Sequence, residues 1–215
     1  MTIRRAWVRL PSGKRLDLLN PTPFDWEDED LALGLARTYR WGGHSAWSLP
    51  LSVAQHSLLV LALYRERRKS NANAPAALRE LLHDADEGLL GFDCIAPVKP
   101  FLGEAYRTLA GRLEAAIAMR YRLAPWTVPE KKAHRQADRL AAASEAVLVA
   151  GWAQKEVRQT LGIPFAALSS DPLQQIYGGT AWEPWPPEVS ASRFLAELTR
   201  LQRSCARALG RGLSQ

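Results

Sequence analysis

Residues 81–93 read LLHDADEGLLGFD. Leu78, Leu81, Leu82 and Ala85 recur at helical intervals, so the pattern predicts a helix from Ala76 to about Glu87 with an apolar face turned to a core. Within it His83 and Asp84 are adjacent, and Glu87 follows four residues after the first and three after the second. At about 3.6 residues per turn, Glu87 returns to the side that the pair occupies. Ionisable groups on the core side of a helix are costly unless a metal ion or a partner compensates them. The structural alternative is a helix end near solvent, with both acids hydrated.

Two further segments supply partners for that compensation. Ser52-Val53-Ala54-Gln55 has the spacing of a capping box, with Ser52 at the N-cap and Gln55 at the third helical position. It predicts a helix running to about Arg67 with His56 in its second turn. Residues 134–147, HRQADRLAAASEAV, fit a packed helix expected from about Pro129 to Trp152, and they carry Asp138. Pro129 suits the first turn of that helix. Together His56, His83, Asp84 and Asp138 would form a mixed nitrogen and oxygen donor set. Such a set suits a divalent ion: Mn²⁺, Co²⁺, Zn²⁺, Fe²⁺ or Mg²⁺.

The remaining chain reads as scaffold. Residues 6–19, AWVRLPSGKRLDLL, alternate well enough for two short strands around a Pro-Ser-Gly-Lys turn, where Gly13 supplies a positive φ. Acids from Asp25 to Asp30 favour the first turn of a helix that ends near Arg37. Another long helix is expected over Gly103 to Tyr121, and residues 178–209 read as a Trp/Pro-rich loop followed by a terminal helix. The fold class is therefore mostly α with a small N-terminal β-hairpin. We divide one domain, residues 1–215, into a hairpin at about 6–19, a core at about 25–152 and a C-terminal helical extension at about 153–215.

Composition narrows the function classes. A chain of 215 residues, 47% of them hydrophobic, is long enough for one substantial core. No apolar run reaches the roughly 18 residues needed to span a bilayer, and Met1 to Trp7 lack the apolar core of a signal peptide. A cytoplasmic protein without a membrane partner is expected. The two cysteines, Cys94 and Cys205, belong to no Cys-x-x-Cys pair and imply neither a thiolate metal site nor a disulfide framework. A net charge of +6 suits an anionic ligand. The late arginines Arg193, Arg200, Arg203, Arg207 and Arg211 read as a solvated helix face, without the aromatic interleaving of a nucleic-acid footprint.

The order His, then His-Asp, then Asp resembles the HD-domain metal-dependent phosphohydrolase superfamily, whose pattern H…HD…D matches His56, His83, Asp84 and Asp138. The pieces RLDLLNPTP, SVAQHSLLV, LLHDADE and PVK are similar to a bacterial branch related to the 5′-deoxynucleotidases, over roughly residues 6–150. The resemblance implies an HD-type helical bundle, a divalent metal on those four residues, and a nucleotide substrate. It also implies conversion of a deoxynucleoside monophosphate to deoxynucleoside and phosphate. Asp84 and Glu87 would carry the catalytic work. The family's Arg-Trp pair corresponds to Arg40-Trp41, with Arg40 expected on phosphate and Trp41 on base or sugar. Its Gly-Asp and Pro-Val-Lys correspond to Gly91, Asp93 and Pro97-Val98-Lys99, although Phe92 is inserted here between Gly and Asp. That makes Asp93 and Lys99 further substrate candidates; His44, which brackets one loop with His56, is another.

The residues themselves leave plainer roles open: Arg40 at a helix end, Trp41 as a loop anchor, Lys99 solvated. A dNTP triphosphohydrolase of the same class and a silent nucleotide-binding regulator are the competing readings. A homodimer is the expected protein partner, and the loop from Trp182 to Trp185 would either cover its interface or close the core.

Overall fold

The hairpin forms as the alternation predicts. Strands β1 (Trp7–Arg9) and β2 (Arg15–Asp17) pair antiparallel with Val8 opposite Leu16, and Gly13 takes φ +88° in the turn. The computed structural model describes residues 6–68, 73–95 and 98–212, with side chains through 208. Ser12 ties the turn to the first helix, donating from its backbone N (2.8 Å) and its hydroxyl (2.5 Å) to the carboxylate of Asp30. Asp30 also accepts from the backbone N of Glu27, so the same acid caps the helix and anchors the hairpin.

Nine α-helices follow among the described residues. They are α1 (Asp28–Arg37), α2 (Val53–Arg68), α3 (Ala74–Leu81), α4 (Ala85–Leu90), α5 (Gly103–Tyr121), α6 (Val128–Leu148), α7 (Gln154–Gln159), α8 (Pro172–Tyr177) and α9 (Pro187–Gly212). The mostly α class is as predicted; α7 and α8 carried no signal strong enough to be read. Helix α2 is central. Every residue from Val53 to Tyr64 is buried, and α1, α3, α6, α8 and α9 all pack on it. A helix apolar on all sides has no face left for water. Helix α9 supplies Phe194, Leu198 and Leu201 to the same buried cluster as α1 and α2. The polar break after α2 falls largely on residues 69–72, outside the described residues, and Asn73 then caps α3 by accepting from Ala76 N.

Four local expectations are corrected. The helix expected from Ala76 to Glu87 is two helices, α3 and α4, with Leu82 to Asp84 between them; Asp84 sits at φ −112°, ψ 24°. The cause is His83, whose Nδ1 donates to the carbonyl of Glu80 at 2.8 Å. That carbonyl would otherwise receive the backbone N–H of Asp84, so a side chain competes successfully with the helix ladder. Helix α6 stops at Leu148 rather than near Trp152, because Gly151 (φ +78°) allows Trp152 N to bond back to Ala146 O in a Schellman-type ending.

The third correction concerns the capping box, which is half formed. Ser52 Oγ accepts from Gln55 N, but the Gln55 side chain turns away, donating to Glu183 O and accepting from Trp185 N. The Trp182 to Trp185 loop thus closes onto the core. Arg193 is no solvated residue either: its guanidinium lies 4.0 Å from the Trp185 ring centre and 4.8 Å from that of Tyr177. Arg200, Arg203 and Arg207 are exposed as expected, and the side chain of Arg211 lies outside the described residues.

The crossing of α1 and α4 sets the position of the His83-Asp84 turn. A Cβ added at Gly34 would stand 2.2 Å from the carbonyl oxygen of Gly88, and one at Gly88 would stand 2.8 Å from the backbone N of Leu35. Backbone cannot yield as a side-chain tip can. Gly88→Ala is therefore expected to destabilise the fold by about 2–3 kcal/mol through overpacking, read as a lowered urea midpoint.

Candidate metal centre

Three segments converge. Helix α2 contributes His56, the turn between α3 and α4 contributes His83 and Asp84, and α6 contributes Asp138. The Nε2 atoms of His56 and His83 lie 3.3 Å apart. Asp84 Oδ2 lies 3.1 Å from His83 Nε2 and 3.6 Å from His56 Nε2, and Asp138 Oδ1 lies 3.3 Å from His56 Nε2. Ligand atoms of His56, His83 and Asp84 all fall within 4.8 Å of one another; Asp138 joins them through His56.

The other edge of each imidazole explains this orientation. His56 Nδ1 is held by Glu145 Oε1 at 2.6 Å, and His83 Nδ1 by the carbonyl of Glu80 at 2.8 Å. An acceptor at Nδ1 fixes the tautomer that carries its proton there and leaves Nε2 a lone pair. Two such lone pairs facing each other repel unless a cation or a proton lies between them. With two carboxylates alongside, the donor set fits a divalent ion, and the buried His56–His83–Asp84 group could hold one.

In the metal-free chain the same acids favour the protonated imidazoles. Burial and Arg40 both disfavour the His56 imidazolium, yet Glu145 and Asp138 outweigh them and push His56 up to about 9. His83 is raised too, against burial, chiefly by Asp84. Burial opposes ionisation of Asp84, Asp138 and Glu145, but the neighbouring imidazoles and Arg40 hold all three below the usual carboxylate range. Two consequences have definite signs. The raised His56 stabilises the metal-free fold below pH 6.5, and this contribution fades as pH rises towards 9. Metal uptake must expel that proton, so divalent-ion affinity is expected to climb roughly tenfold per pH unit per proton released, levelling above about pH 9. Titrations with Co²⁺ at pH 6.5, 7.5 and 8.5 read this slope directly.

The other expected site residues divide. Arg40 opens a short 3₁₀ turn, Arg40–Gly43, and enters the centre, with Nε 2.9 Å from Glu145 Oε2 and Nη1 3.6 Å from Asp84 Oδ2. Trp41, at φ +58°, anchors the turn against a small cluster formed by Ala143, Ala146 and Val157; its buried Nε1 has no partner among the described residues. His44 is exposed, and its side chain bonds none of the described residues. Glu87 is buried beside the centre. Its Oε1 meets Lys99 Nζ at 3.3 Å, while Oε2 is unpartnered among the described residues. Burial, then Asp84 and Asp93, push Glu87 up to about 9. Asp93 is half-buried and raised, first by burial, while feeling both Arg40 and Asp84. Lys99 therefore faces Glu87, and Pro97 lies outside the described residues.

Glu145 escaped the sequence reading. It is 1% exposed and holds both His56 and Arg40. Its signal was present: an acid in an alanine run, two turns after Asp138 on one helix face, deserved the argument applied to the His83-Asp84 pair. A third imidazole, His134, packs beside His83 with ring centres 4.8 Å apart.

Among the described residues no helix is long and apolar enough to cross a membrane. No protein-family model matches the chain. It is 41% identical, over 203 residues, to a Rhodobacter capsulatus protein described only as uncharacterized; the match covers 94% of this chain and 98% of that one.

Proposed function

We propose that this chain, which belongs to one family with that Rhodobacter capsulatus protein, is a metal-dependent nucleotide phosphohydrolase of the HD-domain class, acting as a 5′-deoxynucleotidase. The observation that carries the reading is the convergence of His56 Nε2, His83 Nε2 and Asp84 from two separate segments, with Asp138 alongside from a third. The H…HD…D order of these residues supports the class, and the net charge of +6 suits an anionic substrate.

A divalent ion held by His56, His83, Asp84 and Asp138 would supply Lewis-acid polarisation of a phosphoryl oxygen and acidify a water molecule. The chain's own residues do the rest. Glu145 and the Glu80 carbonyl keep the two imidazoles in the ligating tautomer. Arg40 stands between Asp84 and Glu145 as a permanently charged planar fork, fitted to a phosphate beside Asp84. Burial first, then the charge on Asp84, pushes Glu87 up to about 9 in the metal-free chain. Balancing that charge removes part of what holds the proton there, so Glu87 can both release and take up a proton. It then gives its proton to the departing 5′-oxygen as the P–O bond to that oxygen breaks. The attacking water, forming the new P–O bond, returns a proton to it. Lys99 keeps positive charge at the same carboxyl group.

A panel of nucleoside mono-, di- and triphosphates, in ribose and deoxyribose forms, with Mn²⁺, Co²⁺ or Mg²⁺, tests the reading. Orthophosphate from deoxynucleoside monophosphates is expected. Tripolyphosphate from dNTPs would replace the reading with the triphosphohydrolase, and release of neither product from any substrate would remove the hydrolase.

A further inference from the structure

We infer that His134 is a positioning residue of the metal centre, fixing the ring of His83 through the buried Glu80 and through direct packing. This rests on the metal-centre reading above. Glu80, on α3, is 3% exposed and serves two imidazoles at once. Its backbone carbonyl takes His83 Nδ1 at 2.8 Å, and its carboxylate Oε2 takes His134 Nδ1 at 2.7 Å. His56, His83 and His134 are thus each held at Nδ1 by an oxygen acceptor, and two of those acceptors belong to one residue.

Packing reinforces the link. The His134 ring meets that of His83 edge-on at 4.8 Å and 62°, while Trp126 lies on it at 4.6 Å and 31°. Trp126 is in turn covered by the Arg79 guanidinium at 4.3 Å. Arg79 is tied down by bonds to the carbonyls of Ala124 and Pro125 and by a 3.0 Å pair with Glu130. A continuous stack, Arg79 to Trp126 to His134 to His83, therefore runs from the end of α3 to the centre. His134 also precedes Asp138 by one turn of α6, so one rigid helix carries both the expected ligand and the residue that braces another ligand. Without the His134 donor, a nearly inaccessible carboxylate loses its partner. Glu80 must then shift towards water, and its carbonyl moves with it, releasing His83 Nδ1.

The test uses the full chain, stripped of metal, and Co²⁺ as both probe and chromophore. His134→Ala is expected to weaken Co²⁺ binding about 10- to 100-fold, as loss of a supporting hydrogen bond does at metal sites, and to shift the visible Co²⁺ absorption. His134→Asn offers an N–H near the Nδ1 position and is expected to restore most of the affinity and the band. His134→Gln offers its N–H near the Nε2 position and should resemble His134→Ala. If the alanine variant fails to fold, the contrast between Asn and Gln still decides. Wild-type affinity and spectrum in His134→Ala, equal loss in Asn and Gln, or rescue by Gln alone would each overturn the inference while leaving the centre itself intact. A wild-type chain that binds no Co²⁺ would overturn both.

Discussion

Asp84→Ala is expected to abolish divalent-ion binding and to lower nucleotide hydrolysis by roughly a hundred- to a thousandfold, the scale seen when a group that stabilises transition-state charge is removed. Asp84 is the hub of the centre: its Oδ2 lies within 3.6 Å of His56, His83 and Arg40. Removing it deletes one ligand and the charge that most favours the His83 imidazolium. Its side chain is 20% exposed, so no core cavity opens. The variant should keep wild-type helicity by circular dichroism while losing metal and turnover together. Unchanged hydrolysis in a folded Asp84→Ala protein would show that the reacting site lies elsewhere.

Glu145→Ala is expected to act on the fold as much as on the chemistry. The carboxylate is 1% exposed and has two partners, the His56 ring and the Arg40 guanidinium, both in its absence left without their nearest opposite charge. Breaking a buried ionic network by removing one member costs about 3–5 kcal/mol, which for a chain of this length lowers the melting temperature by about 10 °C. His56 also loses the acceptor that fixes its tautomer, so metal affinity falls with stability. Glu145→Gln, which keeps an acceptor for Nδ1, should lose less of both. The pH dependence has a definite sign. The folded state lowers the Glu145 pKa, so its ionic contribution is present above about 4.5 and is lost as pH falls below that. Melting curves of wild type and Glu145→Gln should accordingly approach each other in acid. A constant gap from pH 7 to pH 3.5 would mean that Glu145 acts through packing alone.

The legibility of the centre in the sequence follows physical lines. His56, His83, Asp84 and Asp138 stood out because charged or imidazole groups in apolar helical segments demand compensation, and a local pattern reveals that demand. The hairpin, α1, α2 and α5 were legible for the same reason: periodicity, caps and turn glycines act over a few residues. What escaped was decided over distance. The break between α3 and α4 depends on a side chain winning a carbonyl from the backbone, which no propensity reports. Gln55 matched a local capping role, but 130 residues away Trp185 offered its backbone N–H, and the tertiary bond prevailed. His44 shared a loop with Arg40, yet the left-handed turn through Trp41 and Gly42 leaves it in solvent. Glu145 carried a local signal as an acid in an alanine run, but which residues it and His134 hold is decided by other helices, so their roles emerge when α2, α3 and α6 are seen together.

On this reading His56 and His83 turn their Nε2 atoms, 3.3 Å apart, to a common divalent ion. Equilibrium dialysis of the untagged, metal-stripped chain against Co²⁺, beside a His56→Ala/His83→Ala double variant, measures it most directly. The wild type is expected to retain Co²⁺ with visible absorption of a nitrogen- and oxygen-ligated ion, and a folded double variant to retain none. Absence of retained Co²⁺ in the wild type, or equal retention by the two proteins, would contradict it.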